Sequence, residues 1–169
     1  DLQLLEYTKG KMHIPFISCA TSVELIRAAK KKGLNLSCGV GIPHLIYTEE
    51  NLLEFNSDFK IVPPLRTSID QRALREGLLD GTIDMVSSMH QPVNPELKNL
   101  EFVNAQDGSI GLEAAFVVLQ NYFPLEKVIS FLTRGKARFN IVNTPFELGS
   151  KVDFSLFNPG GFSEFSKEH

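Results

Sequence analysis

The residues best suited to metal or nucleophilic chemistry are four histidines, His13, His44, His90 and His169, and two cysteines, Cys19 and Cys38. A zinc site needs His, Cys or carboxylate ligands gathered around one point, and sequence usually announces it by HxH, HExxH or CxxC spacing. None of these spacings occurs. His13 reads as a satisfied strand residue, and His169 is terminal. Cys19 follows a predicted strand and reads as a small buried apolar residue. No GxSxG elbow is present. Gly39 and Gly41 in CGVGIPH lack the third glycine of a phosphate loop, so they read as loop flexibility. Lys30–Lys32 reads as a solvated helix end that complements the helix dipole.

Bulk properties narrow the classes of function. The chain has 169 residues, 43% hydrophobic and 22% charged, which suits one globular domain with a real core. A formal net charge of −3 and a pI near 5.8 disfavour nucleic acid or an anionic membrane as partner. No apolar run reaches the roughly 20 residues that span a bilayer. The first residues lack the form of a signal peptide, and two cysteines make no disulfide framework, so a cytoplasmic setting is expected. Asp1 opens directly into a predicted helix with no Met, as in a piece of a longer protein.

The elements that must position these residues alternate in type. Strands are predicted at Lys11–Ile17, Leu34–Val40 and Thr82–Ser87. Helices are predicted at Ser22–Lys32, capped by Thr21 or Ser22 and closed by Gly33, and at Thr48–Phe55, capped by Thr48. Further helices are predicted at Ser68–Asp80, capped by Ser68, and at Gly111–Tyr122 and Leu125–Thr133 around Pro124. Crossovers of this length give parallel strands with helices outside. Three such strands suit a sector of a (β/α)8 barrel, where function sits at the C-terminal strand ends. Those ends are Ser18–Thr21, Val40–His44 and Ser88–Pro92.

At these ends the chain resembles the dihydroorotases of the amidohydrolase superfamily. The run KIVPPLRTSIDQRALREGLLDGTIDMVSSMHQPVNPELK is similar to their KVNPPLR, helix, DGTIDxIxTDHAPH and following EK. DGSIGLEAAF resembles GxxGLExxL, and MHIPFISCATSVELIRAAKKKGL resembles HIxHVSTxxSxxxIRxAKxxGL. FELGSKVDFSLFNP resembles IxxGxxADLxLFDP, the strand that returns to a small β-sandwich beside the barrel. The resemblance implies an α/β fold holding the last three barrel strands over residues 1–144, a β-sandwich return at 145–159 and a flexible tail at 160–169. The N-terminal part of the barrel, with the family's HxH metal pair, is not in this sequence.

The departures fall on the positions to which the family assigns chemistry. Phe16 stands at a metal-ligand histidine, and Met89 at the metal-ligand, proton-shuttling aspartate. Val62 stands at the asparagine of NPPLR, and Val93 at a substrate-contacting histidine. All four changes run from polar to apolar. Zinc would acidify a water and a carboxylate would carry its proton to the leaving nitrogen. A thioether has no proton to exchange and suits such a metal poorly, and a phenyl ring offers no ligand atom. If Phe16 faces the barrel interior, strand alternation puts Ile14 and Ser18 with it and turns His13 and Ile17 away. Alternation likewise groups Met89 with Ser87 and Met85, and turns His90 away.

The reading is therefore a catalytically degenerate dihydroorotase-like protein, with no catalytic, substrate-binding or metal residue in this chain and no cofactor, although the family uses zinc. His44, Arg66, His90 and Gly111 are its candidate pocket contacts. The resemblance implies a structural or regulatory role, with aspartate transcarbamoylase or a second copy as partner. Two alternatives stand beside it: an active zinc-dependent dihydroorotase or related cyclic amidohydrolase that uses residues outside this chain, and a small-molecule binding module.

Overall fold

The computed structural model describes residues 1–141, 147–151, 155–158 and 160. Three parallel strands, β1 (Met12–Ile14), β2 (Leu36–Gly41) and β3 (Met85–Ser87), lie side by side in chain order. Met12 pairs with Leu36 and Gly39 with Met85, which sets the register of both ladders. The strands are shorter at their edges than predicted. β1 stops at Ile14 because Pro15 follows, and a proline cannot donate to a ladder.

Alternation sorts the sheet into two faces. Met12, Ile14, Leu36, Cys38, Val40 and Val86 pack toward the helices and form the core with Val23, Ile26, Leu74 and Leu78. His13, Ser37, Gly39, Gly41, Met85 and Ser87 take the opposite face. Ile17 returns to the core three residues after Ile14, so alternation breaks at Pro15–Phe16. This corrects the predicted parity: Ile14 is on the helix side, and His13 is on the other.

The core helices are α2 (Ala20–Lys31), α4 (Ser68–Leu79), α6 (Ala115–Gln120) and α7 (Leu125–Thr133). Helix α2 buries Val23, Ile26 and Ala29, and Gly33 ends it with φ 79°. Its N-cap is Cys19, not Thr21 or Ser22. The cap is supplied across space, since Asp70 Oδ1 accepts the Ala20 N–H at 2.8 Å. Helix α4 is capped by Thr67 rather than Ser68, in a capping box closed by Asp70. One carboxylate thus ties the starts of two neighbouring helices.

Other predicted helices are shorter than foreseen. Thr48–Phe55 contains only a 3-10 turn, Glu49–Leu52, which buries no residue, and Phe55 adopts φ 53°. A short helix without an apolar face to pack is not sustained. Gly111–Tyr122 is helical only from Ala115. Four short pieces were not foreseen, among them α3 (Ile42–Ile46), α5 (Pro95–Lys98) and a 3-10 segment Arg134–Phe139. That segment covers part of the sheet face away from the core helices. Phe139 meets His13 edge-on at 5.1 Å, and a Cβ on Gly135 would stand 3.0 Å from Met85 Sδ.

Of the predicted return at 145–159, positions 145, 146, 152–154 and 159 lie outside the described residues, as do 161–169 of the predicted tail. The described residues there include a turn at 148–150, and Phe157 packs edge-on against Phe116 at 4.8 Å. The first helix, α1 (Leu2–Thr8), buries only Leu5. Among the described residues no helix is long and apolar enough to cross a membrane.

Candidate functional site

At the C-terminal ends of β2 and β3, three residues converge. Met89, two residues past β3, takes a left-handed backbone with φ 52°. A Cβ on Gly41 would stand 1.9 Å from its sulfur and 3.0 Å from His44 Nδ1. Gly41 is the last residue of β2, and the absence of a side chain there lets Met89 lie across the strand. His44 is held by α3, which begins directly after β2. Met89 thus shares the face of Ser87 and Met85, as strand alternation predicts.

His44 is only 2% exposed. Its Nε2–H donates to Pro63 O at 2.9 Å, while Nδ1 has no hydrogen-bond partner among the described residues. Burial pushes its pKa below the ordinary 6.5, outweighing the main-chain groups of Pro63, Pro64 and Gly41, and Arg66 lowers it further. The neutral ring is therefore the stable form. Its bond to Pro63 anchors the Val62–Pro63–Pro64 segment, in which the Val62–Pro63 bond is cis.

Phe16 is half-buried just past β1. Val62 is exposed, as is Arg66, whose carbonyl accepts the Glu49 N–H. His90 and Gly111 do come together: His90 Nδ1 accepts the N–H groups of Gly111 and Leu112, both at 3.4 Å. That contact holds residues 111 and 112 outside the helix predicted for them. Cys19 Sγ lies 3.1 Å from Ser22 Oγ, and burial pushes the Cys38 thiol up to about 11.

Zinc does not fit the residues this chain brings to the strand ends. Met89 offers a thioether, Phe16 offers carbon, and His44 offers only its Nδ1, a single nitrogen where a tight zinc site needs three or four ligands. Among the described residues no three His, Cys, Asp or Glu side chains gather as a metal-binding group. No catalytic step through a metal follows from these side chains.

Beside this point lies a cleft of about 760 Å³, which sequence reasoning missed apart from Val93. Its apolar walls include Pro43, Tyr47, Phe59, Ile61, Val93 and Ile110. Tyr47 and Phe59 meet edge-on at 4.9 Å. Gln91, Asn99, Ser109 and Asp58 add polar groups, as does Lys98. Two lysines fasten the far wall. Lys60 Nζ donates to the carbonyls of Phe102, Val103 and Ala105 at 2.7–3.1 Å. Lys98 Nζ donates to those of Lys60, Gln106 and Gly108 at 2.8–3.2 Å. Burial lowers the Lys98 pKa, while Asp58 and Asp107 oppose the shift. The EK step of the family pattern was the one sequence signal that pointed to Lys98.

Comparison with known proteins places this arrangement. No family model matches the chain. It is 35% identical to a dihydroorotase from Leifsonia xyli subsp. xyli over 98% of this chain and 40% of that protein. It is 43% identical to a dihydroorotase from Acetivibrio thermocellus over 72% of this chain and 29% of that protein. Among solved structures it is similar to the L-hydantoinase (dihydropyrimidinase) from Arthrobacter aurescens. That match has a TM-score of 0.76 and 24% identity over 88% of this chain and 36% of that one. It is also similar to the inactive dihydroorotase-like domain of the Chaetomium thermophilum CAD-like multifunctional protein. There the TM-score is 0.58 and the identity 20%, over 85% of this chain and 41% of that one. These structural likenesses speak to the fold. The chain spans about two-fifths of the length of the first of these relatives.

Proposed function

We propose, from the premise that this chain is a homologue of the dihydroorotases, that it belongs to a family member without metal-dependent cyclic amide hydrolysis. The observation that carries the reading is Met89 lying on Gly41, where the family pattern places its metal-binding aspartate. Phe16 in place of a ligand histidine supports it, and so do Val62 and Val93 in place of substrate-contacting polar residues. In this reading the three strands are the last three of a (β/α)8 barrel, and residues 145–159 return to a β-sandwich. The remaining strands come from outside this chain.

The role that follows is structural or regulatory, in the cytoplasm, with aspartate transcarbamoylase or a second copy as partner. The inactive dihydroorotase-like domain among the structural relatives makes the loss of activity a plausible course for this fold. The competing reading is an active enzyme whose zinc is held by residues outside this chain.

Elemental analysis of the full-length protein separates the two readings. Less than about a tenth of an equivalent of zinc is expected, since tight sites need three or four good ligands. Stoichiometric zinc at the strand ends would favour the active enzyme. Co-migration with aspartate transcarbamoylase on size exclusion tests the partner, and independent elution at micromolar concentration would remove it.

A further inference from the structure

We propose that Met89 Sδ and His44 Nδ1 together form a binding site for copper(I) over the end of β2. Copper binding there is independent of the loss of cyclic amide hydrolysis. Two atoms with unused lone pairs meet beside Gly41. A Cβ on that glycine would stand 1.9 Å from the sulfur of Met89 and 3.0 Å from Nδ1 of His44. The two atoms are therefore no more than about 5 Å apart, and bonds of about 2 Å to nitrogen and sulfur bridge such a span. A small rotation of the Met89 side chain admits the ion, since the thioether is half-buried and sits on a flexible stem.

The histidine is arranged as a ligand. Its Nε2–H donates to Pro63 O, which fixes the tautomer and leaves the lone pair on Nδ1. Metal-binding histidines give their second nitrogen to a main-chain carbonyl in the same way. The ring is 2% exposed, and Nδ1 has no hydrogen-bond partner among the described residues, although an unpaired buried nitrogen is costly. Atoms of this chain already enclose that nitrogen, so residues elsewhere in the protein do not reach it. Burial keeps the ring neutral, so a metal displaces no proton from it. The choice of ion follows from softness and number. A thioether suits copper(I) and binds hard or borderline divalent ions poorly. Copper(I) is satisfied by two ligands in line, whereas zinc takes three or four from the protein. It also brings one positive charge rather than two into a buried place.

The test is calorimetric titration of the full-length protein under argon with copper(I) held in solution by acetonitrile. Met89→Leu, His44→Gln and Met85→Leu are titrated beside the unmodified protein. Met85 shares the sheet face of Met89, four residues before it, and serves as the control. Met89→Leu and His44→Gln should each weaken the same equivalent of copper by at least about tenfold, and Met85→Leu should leave it unchanged. Copper K-edge absorption of that equivalent should show one nitrogen and one sulfur neighbour, with the sulfur lost in Met89→Leu. Circular dichroism checks each fold, and Met89→Gln or His44→Asn replaces a variant that does not fold. No copper bound by the unmodified protein overturns the proposal. Affinity unchanged in either ligand variant also overturns it, because the site needs both atoms, and so does an equal loss in Met85→Leu. Zinc content, read separately, reports on the loss of hydrolysis and leaves the copper result distinguishable.

Discussion

The sulfur of Met89 occupies the space above Gly41, 1.9 Å from where a Cβ would be. Where the resemblance to the dihydroorotases implies a proton-shuttling carboxylate, a thioether packs on backbone. The left-handed conformation of Met89 makes this contact possible, and such a conformation is uncommon for a residue other than glycine, asparagine or aspartate. Backbone shape at this point is thus one an aspartate would tolerate better than the methionine present.

Gly41→Ala should destabilise the protein by about 1–3 kcal/mol, because the new methyl meets Met89 and His44 together. In a Met89→Ala background the same change should cost less than about 1 kcal/mol, since the sulfur is gone. Urea unfolding of the four proteins in the cycle measures the coupling. Additive effects would mean that Met89 does not lie on Gly41.

Acidification should loosen the structure through His44. Its folded pKa is depressed below 6.5 by burial, so the unfolded chain binds more protons as pH falls through 6.5. The stability it contributes is complete above that pH and declines as pH drops toward the folded value. His13, lowered by burial and by Arg138, acts in the same direction. His44→Gln should reduce the slope of stability against pH below about 6.5. An unchanged slope would place its origin elsewhere.

The lysine latch should be separable from the core. Lys98→Met removes the donor to three carbonyls and should cost about 1–3 kcal/mol. The Gly108 amide, which donates to Lys60 O at 3.1 Å, should exchange with solvent faster. Lys127→Met, outside the cleft, serves as the control. Equal exchange in the two variants would show that the latch does not hold the cleft wall.

Periodicity located the core-facing elements well. Leu125–Thr133 has the predicted bounds, and the three parallel strands appear near the predicted residues, because each has an apolar face to bury. What sequence could not supply came from contacts across the chain. The cap of α2 comes from Asp70, fifty residues on, and the start of α6 is delayed by His90. The parity error at His13 arose from the break at Pro15, which resets alternation within two residues. At the site, residue identities at Phe16, Val62, Met89 and Val93 were legible through the resemblance. The cleft was not, because its walls come from four segments, 43–47, 58–65, 91–99 and 108–110, that only tertiary structure brings together.

Restoring one residue should not restore chemistry. Met89→Asp alone would place a carboxylate among Gly41 and His44 without a metal, and desolvation would raise its pKa. Phe16→His alone would supply a single ligand. Catalytic groups that act as a unit are strongly non-additive, so only the combined change with Val62→Asn and Val93→His has a route to activity. That route also requires an HxH pair upstream.

Ring opening of dihydroorotate by the unmodified full-length protein, followed by absorbance with added zinc, tests the central claim most directly. No turnover above the uncatalysed rate is the predicted result, with or without the metal. Robust zinc-dependent hydrolysis would contradict it and make this chain part of an active amidohydrolase.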